Sequence, residues 1–278
     1  MSTQSSSPNG RTVLVTGSTR GLGWSLAREL AAGGATLLLH GRDRTRLAEA
    51  EEEVRAAAPG ATVRGYAADL ADLDQVRELA DTVLNNESRL DVLVNNAAIG
   101  AGPTPQRREG SAQGHELRFA VNYLAPYVLT RRLLPLLKSS APARVVDVAS
   151  AGQEALDFDD IMMERHYDGM RAYCRSKVAL IMWTFDLAAE VESAGITVNA
   201  LHPAALMDTR LVHRSGLTPA TSVEEGVKPA LRLVTDPALE HVTGRYFHRF
   251  TDSRADEQTY DPAARARLAE LTAVLTSE

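Results

Sequence analysis

The chain has a single cysteine, Cys174, among 278 residues. A lone thiol excludes an intramolecular disulfide and a thiolate-rich metal site; it suits a reducing compartment, so no metal and a cytoplasmic location are expected. Positive charge is also short: the formal net charge is -6, and no basic patch of the kind that dominates phosphate-backbone affinity is visible, so no nucleic-acid partner is expected. Long apolar runs are missing, and nothing reaches the roughly 20 residues that span a bilayer. The opening "MSTQSSSPNG" lacks the charged start and apolar run of a signal peptide, and residues 1–10 are expected to form a disordered tail. No Pro/Ser-rich linker and no internal repeat divides the remainder, which reads as one domain over residues 11–278.

What is present is a regular beat of short apolar runs and longer amphipathic stretches. "RTVLVTG" is followed by a helical pattern over 22–33 and then by "ATLLLHG", a βαβ unit. The beat continues through "ATVRGYAAD", "LDVLVNNAA", a long helical stretch near 111–138, "ARVVDVAS", a helix near 171–193 and "GITVNALHP". Runs such as Val13-Leu14-Val15 and Val92-Leu93-Val94 are apolar on both faces, as parallel strands covered by helices must be. The pattern predicts an α/β, Rossmann-type doubly wound parallel sheet of about seven strands, the last being "GRYFHRF". Two segments interrupt it, 152–171 and 204–221, and loops this long inside a compact domain are candidates for substrate contact.

"TGSTRGLG" follows the first strand and opens a helix, the setting in which a glycine turn seats a pyrophosphate on helix N–H groups. Its glycines, Gly17, Gly21 and Gly23, are spaced G-x-x-x-G-x-G. At the end of the second strand, "HGRD" offers Gly41 and Arg42 where an NAD-binding site carries an acid for the ribose hydroxyls. Arg20 in the turn can converge on the same extra phosphate, while Asp43 is placed to cap the next helix. The expected cofactor is therefore NADP(H).

Lysine is the scarcest charged residue, three in the chain, yet Lys177 falls four residues after Tyr173 in "AYCRSK". On a helix that spacing puts both side chains on one face. A cation there favours phenolate and eases proton exchange near neutral pH, and a compact ammonium can also hold a sugar hydroxyl, which the flat fork of arginine fits poorly. Seven tyrosines and three lysines produce about 0.08 such pairs by chance. Ser150 ends "RVVDVAS" at the sheet edge where open α/β folds bind ligands. Asn122 precedes Pro126 by four residues, so its carbonyl loses its helical donor and is free to hold a water beside Lys177; a proton-relay role is expected, against the plainer reading of a kinked helix.

Together these residues resemble the short-chain dehydrogenase/reductase family over nearly the whole chain, from residue 12 to about 250. "AYCRSKVALI", with the long segment before it, looks like the retinol-dehydrogenase-like branch. The resemblance implies roles: Tyr173 supplies the proton, Ser150 binds the carbonyl oxygen, Lys177 holds the nicotinamide ribose, and Asn122 completes the catalytic set. It implies cofactor contacts from the whole glycine turn, with Ser18, Thr19, Arg20 and Leu22 between and beside its glycines. Further contacts come from Arg42, from Asp69 and Leu70 near the adenine, from Asn96, Ala97 and Ala98 of "NNAA", from Tyr173 and Lys177 themselves, and from Pro203 and Thr209. Ala98 and Ala204 depart from the family pattern, each standing where it has a glycine and adding a methyl near the cofactor.

The expectation is thus an NADPH-dependent oxidoreductase interconverting a ketone or aldehyde and an alcohol on a fairly apolar small molecule. Leu156, Phe158, Ile161, Met162, Met163, Leu206, Met207, Leu211 and Leu217 either line its pocket or anchor the loops. A non-catalytic NADP-binding sensor or scaffold and a non-redox cyclase or epimerase on the same fold stay open. Family members pair through the helices at 111–138 and 171–193, which implies a homodimer or homotetramer.

Overall fold

Val13 and its neighbours in β1 (Thr12–Val15) are buried on both faces, because helices cover the sheet on both sides. The computed structural model describes residues 8–103 and 107–277. After β1 come α1 (Gly21–Ala32), β2 (Thr36–Gly41), α2 (Arg44–Ala57), β3 (Val63–Ala67), α3 (Leu73–Asn86) and β4 (Val92–Asn95). A short α4 (Leu117–Phe119) leads through a π-turn (Ala120–Leu124) into α5 (Ala125–Ser139), then β5 (Ala143–Val148), α6 (Gly169–Val191) and β6 (Ile196–His202). The chain closes with α7 (Arg210–Arg214), α8 (Val223–Thr235), β7 (Arg245–His248), β8 (Thr251–Ser253) and α9 (Pro262–Thr276).

The strand order is β3-β2-β1-β4-β5-β6-β7-β8, all pairs parallel except β7 with β8. The order reverses between β1 and β4, which opens a crevice at the carboxyl ends of these strands. The doubly wound sheet is as expected, with eight strands where about seven were counted. The extra one arises because Arg249, at φ +59°, turns the chain back so that three residues pair antiparallel at the edge.

Leu22, Leu26 and Leu30 recur every four residues and fix the buried stripe of α1. They join α2 and α8 in one apolar layer, and α3, α5 and α6 form the layer on the opposite face. The long helix expected near 111–138 begins only at Leu117, and its irregularity lies ahead of Pro126. The N–H of Ala125 donates to the carbonyl of Ala120, five residues back, and Pro126 then occupies the first turn of α5, where it has no N–H to offer the Asn122 carbonyl four residues back. Of the expected tail, residues 1–7 lie outside the described residues; Pro8–Gly10 make a turn in which Gly10 N–H donates to Gly34. Among the described residues no helix is long and apolar enough to cross a membrane.

Candidate active site

Ser150, Tyr173 and Lys177 meet at the carboxyl end of β5. Asp168 starts the helix that carries two of them, its carboxylate accepting from the N–H groups of Met170 and Arg171. The spacing of four then brings the Lys177 ammonium to 5.8 Å from the centre of the Tyr173 ring. Lys177 is 2% exposed, and its Nζ donates to the Val148 carbonyl at 2.8 Å. Ser150 hydrogen-bonds the half-buried Tyr173 phenol through its side chain and accepts from the N–H of Gly152 at 3.0 Å. Tyr246 donates its hydroxyl to the Ser150 carbonyl, locking the strand end from β7.

The electrostatics differ from the reading that Lys177 favours phenolate. Burial raises the Tyr173 pKa, and the Ser150 hydrogen bond offsets this only in part. The phenol is thus held protonated. Lys177 moves the other way, lowered to about 8 by burial, with Asp147 opposing the shift.

Asn122 is wholly buried in the π-turn. Its Oδ1 accepts from the N–H of Ile99 at 2.8 Å, and its Nδ2 donates to Ile99 O and to Ser176 Oγ. The Ser176 hydroxyl donates in turn to the Tyr173 carbonyl. The Asn122 side chain therefore ties the loop after β4 to the helix bearing Tyr173, leaving its main-chain carbonyl as the group for any relay.

At the other end of the crevice, Gly17 and Gly21 adopt φ +65° and +56°, where a side chain is strained. A Cβ on Gly17 would lie 2.9 Å from Ala97 Cα, and one on Gly21 would lie 3.3 Å from Thr209 Cγ2. Gly23 lets α1 approach Asn96 and the carbonyl of Gly17; a Cβ there would sit 2.6 Å from that oxygen. Arg20 is the extended N-cap of α1 and its side chain makes no capping bond, so the first turn keeps N–H groups that a phosphate can take. These residues fit a nicotinamide dinucleotide, with the glycine turn and the exposed Arg20 beside the free N–H groups of α1 for its phosphates.

Not every expected contact has a side chain to offer. Ser18 is fully buried; its hydroxyl accepts from the N–H of His40 and lies 3.3 Å from the His40 carbonyl. Leu22 and Leu70 are core residues, and what they offer a ligand is main chain. Asn96 donates its amide to the carbonyls of Thr16 and Gly17, and so shapes the turn. Thr19 packs beside Gly41, and Asp69 accepts from the N–H of Ala71 at the end of β3. Pro203 and Ala204 are buried, Ala98 is half-buried, and Thr209 folds back on Met207. Asp43 caps α2 as expected, accepting from the N–H groups of Thr45 and Arg46.

Two organisers had escaped the sequence reading. His40 accepts at Nδ1 from the N–H of Gly17 and donates from Nε2 to Ala68, bridging the turn to β3; burial lowers its pKa to about 4 and keeps it neutral. The Thr16 hydroxyl accepts from the N–H groups of Asn96 and Ala97. Neither has a motif, since the partners are distant in sequence.

The two long segments behave differently from one another. Leu156 and Met163 are buried, and Phe158, Ile161 and Met162 pack against the same core, so in 152–168 the apolar residues are anchors. A buried clasp holds them: Glu116 accepts from the Tyr167 hydroxyl at 2.9 Å and from the N–H of Phe119, beside Arg118, which donates to the carbonyls of Gly100 and Ala101. In 204–221, by contrast, Leu206 and Leu217 are exposed and Leu211 lies over Gly100.

A doubly wound sheet with a glycine turn after its first strand, a serine at the end of β5 and a Tyr-Lys pair on the helix that follows defines a nucleotide-dependent oxidoreductase. The chain matches the short chain dehydrogenase family over residues 11–219. It is 34% identical to mouse retinol dehydrogenase 13, covering 93% of this chain and 81% of the relative, and 35% identical to human retinol dehydrogenase 14, covering 96% and 86%. Among solved structures, a protein of Mycobacterium paratuberculosis superposes with a TM-score of 0.80 at 28% identity, covering 99% of this chain and 96% of that one. The Pseudomonas aeruginosa RhlG/NADP complex superposes with 0.72 at 28% identity, covering 89% and 97%. This protein belongs to the short-chain dehydrogenase/reductase family, in its retinol-dehydrogenase-like branch.

Proposed function

We propose that the protein is an NADP(H)-dependent oxidoreductase that interconverts a ketone or aldehyde and an alcohol on an apolar small molecule. The observation that carries this is the protonated Tyr173 phenol, hydrogen-bonded to Ser150 with the Lys177 ammonium 5.8 Å from its ring. NADPH, when bound, supplies a hydride to the carbonyl carbon. Ser150 and Tyr173 both present hydroxyl donors to the carbonyl oxygen, and Tyr173 gives up its proton as negative charge develops there. Lys177 holds the ribose and stabilises the phenolate left behind. The Asn122 carbonyl, ahead of Pro126, holds the water that returns a proton; unchanged turnover in Pro126→Ala would count against this relay.

The choice of NADP(H) is supported by an arginine cluster. Arg210 is held below the usual guanidinium range by Arg214 first, and then by Arg20, Arg42 and Arg46. A dianionic ribose phosphate relieves that mutual repulsion. The apolar substrate is supported by Leu206, Leu211 and Leu217, and by relatives named retinol dehydrogenases; Met207 packs instead against the core beside Gly226. A sensor or scaffold would leave the Ser150–Tyr173 pair without use, and a cyclase or epimerase would consume no cofactor. We place the reaction in the cytoplasm, on the strength of the lone, half-buried Cys174.

The test is to incubate purified protein with NADPH or NADH and a panel of apolar ketones and aldehydes, retinal among them, following cofactor absorbance. Oxidation of NADPH is expected, with NADH bound more weakly and the difference reduced roughly tenfold in Arg42→Ala, about one charge-assisted hydrogen bond. Tighter NADH binding overturns the cofactor assignment; an inert panel overturns the reductase.

A further inference from the structure

One residue before Val148, whose carbonyl Lys177 holds, β5 carries a carboxylate that the proposed reaction does not use. Asp147 is wholly buried in β5, opposite Asn95 of β4. Its Oδ1 accepts from Asn95 Nδ2 at 2.8 Å and its Oδ2 from the Thr184 hydroxyl at 2.8 Å. Asn95 Nδ2 also donates to Thr130 on α5. Thr184 lies seven residues, two helical turns, beyond Lys177, so both side chains look down from α6 onto β5.

Hydrogen bonding alone does not call for a charge here. The Thr184 hydroxyl also lies 2.9 Å from the Leu180 carbonyl, to which it can donate. A neutral amide at 147 could therefore accept from Asn95 and donate to Thr184, with every bond kept. A buried carboxylate is costly without a cation; Lys177 Nζ is held on the carbonyl of Val148, the next residue of β5 after Asp147, and Thr184 of the same helix holds Asp147 itself, so the buried acid and the buried base share one stretch of the α6–β5 interface. The coupling shows on both partners. Burial raises Asp147 to about 6, with Asn95, Thr184 and Lys177 opposing, and lowers Lys177 to about 8, with Asp147 opposing.

We propose that Asp147 is a positioning residue for Lys177: its buried carboxylate is the counter-charge that keeps the lysine an ammonium beside Tyr173. The groups that touch Lys177 are the Tyr173 ring and the Val148 carbonyl, with Asp147 the charged neighbour one residue back along β5; those that touch Asp147 from β4 and α6 are Asn95 and Thr184, with Thr130 of α5 behind Asn95, none of them ionisable. The inference rests on the reductase reading only for its consequence in turnover, since the coupling itself belongs to the protein without cofactor.

The low lysine count makes the test direct. Selective 13C labelling at lysine Cε gives three resonances, of which Lys138 and Lys228 are exposed and Lys177 is assigned by its loss in Lys177→Met. In the full chain without cofactor, Lys177 is expected to titrate near 8, and in Asp147→Asn the midpoint falls by about one unit or more, because removing the negative charge disfavours the ammonium. Coincident midpoints overturn the proposal. If Asp147→Asn does not fold, the Asp147 Cγ resonance of the wild-type chain must shift as Lys177 titrates; a flat Cγ overturns it equally. With NADPH and a carbonyl substrate, the alkaline limb of turnover moves down in Asp147→Asn alongside the NMR midpoint. An inert assay with the NMR shift intact defeats the reductase alone, and turnover with an unmoved midpoint defeats Asp147 alone.

Discussion

At the scale of single residues, the decisive competition is between burial and charge at Tyr173. Lys177 favours phenolate, yet its ammonium is 5.8 Å from the ring and committed to Val148, and burial wins. In the proposed reaction the phenol is the proton donor of the reducing direction. Tyr173→Phe keeps the ring and loses the proton, so turnover should fall by about 10² to 10⁴, the usual worth of a positioned acid, with the NADPH dissociation constant within about twofold. Full activity in that variant would falsify the assignment. The pair was legible in the sequence because a spacing of four on a helix determines a shared face. Asp147 was not, since a strand residue's neighbours on the helix above it are set by packing and not by spacing.

At the scale of elements, the glycine turn and the segment before α6 show different degrees of legibility. The turn was readable from its position after β1, but its dependence on His40 was not. His40 is neutral in the folded protein, with a pKa of about 4 against 6.5 unfolded, so as pH falls the unfolded chain takes the proton first. The stability it supports is complete above about 6.5 and is lost progressively towards 4, about 3 kcal/mol for a shift of this size. Urea midpoints measured across that window should fall less steeply for His40→Gln than for the wild-type chain. The segment 152–171 looked like a substrate loop from its length, and most of its apolar residues are core anchors. Its clasp gives a further expectation: Tyr167→Phe removes a hydroxyl donor from a carboxylate that is 1% exposed, at a cost of about 1–2 kcal/mol. Thermal melting should register that loss, and KM for a carbonyl substrate should rise more than kcat falls.

At the scale of the whole molecule, the question is what covers α5 and α6. Part of the answer is the chain itself. Arg265 of α9 pairs with Asp186 of α6 at 3.1 Å, Thr272 meets the Tyr123 hydroxyl at 2.6 Å, and Arg77 of α3 donates to Thr276 O. Beside α9 there is a strip in which Arg131 stacks over Trp183 at 4.6 Å, next to Tyr127. A homodimer or homotetramer paired through these helices has to use that strip. Light scattering at micromolar concentration should then show a dimer or larger for the wild-type chain and a monomer for Arg131→Glu; a wild-type monomer removes the pairing.

The sequence by itself determined the doubly wound sheet and the Ser150, Tyr173 and Lys177 set, because two-sided apolar runs and a helical spacing of four each admit few arrangements. Only the tertiary structure decided that Tyr173 stays protonated, that Asn122 clamps a loop to α6, that the residues of 152–168 are anchors, and that Asp147 is buried against Thr184 of the helix that carries Lys177. Those outcomes depend on which groups burial brings together across 23 positions of chain, as for Asn122 and Ile99, or 54, as for Asn122 and Ser176, and no local pattern encodes such meetings.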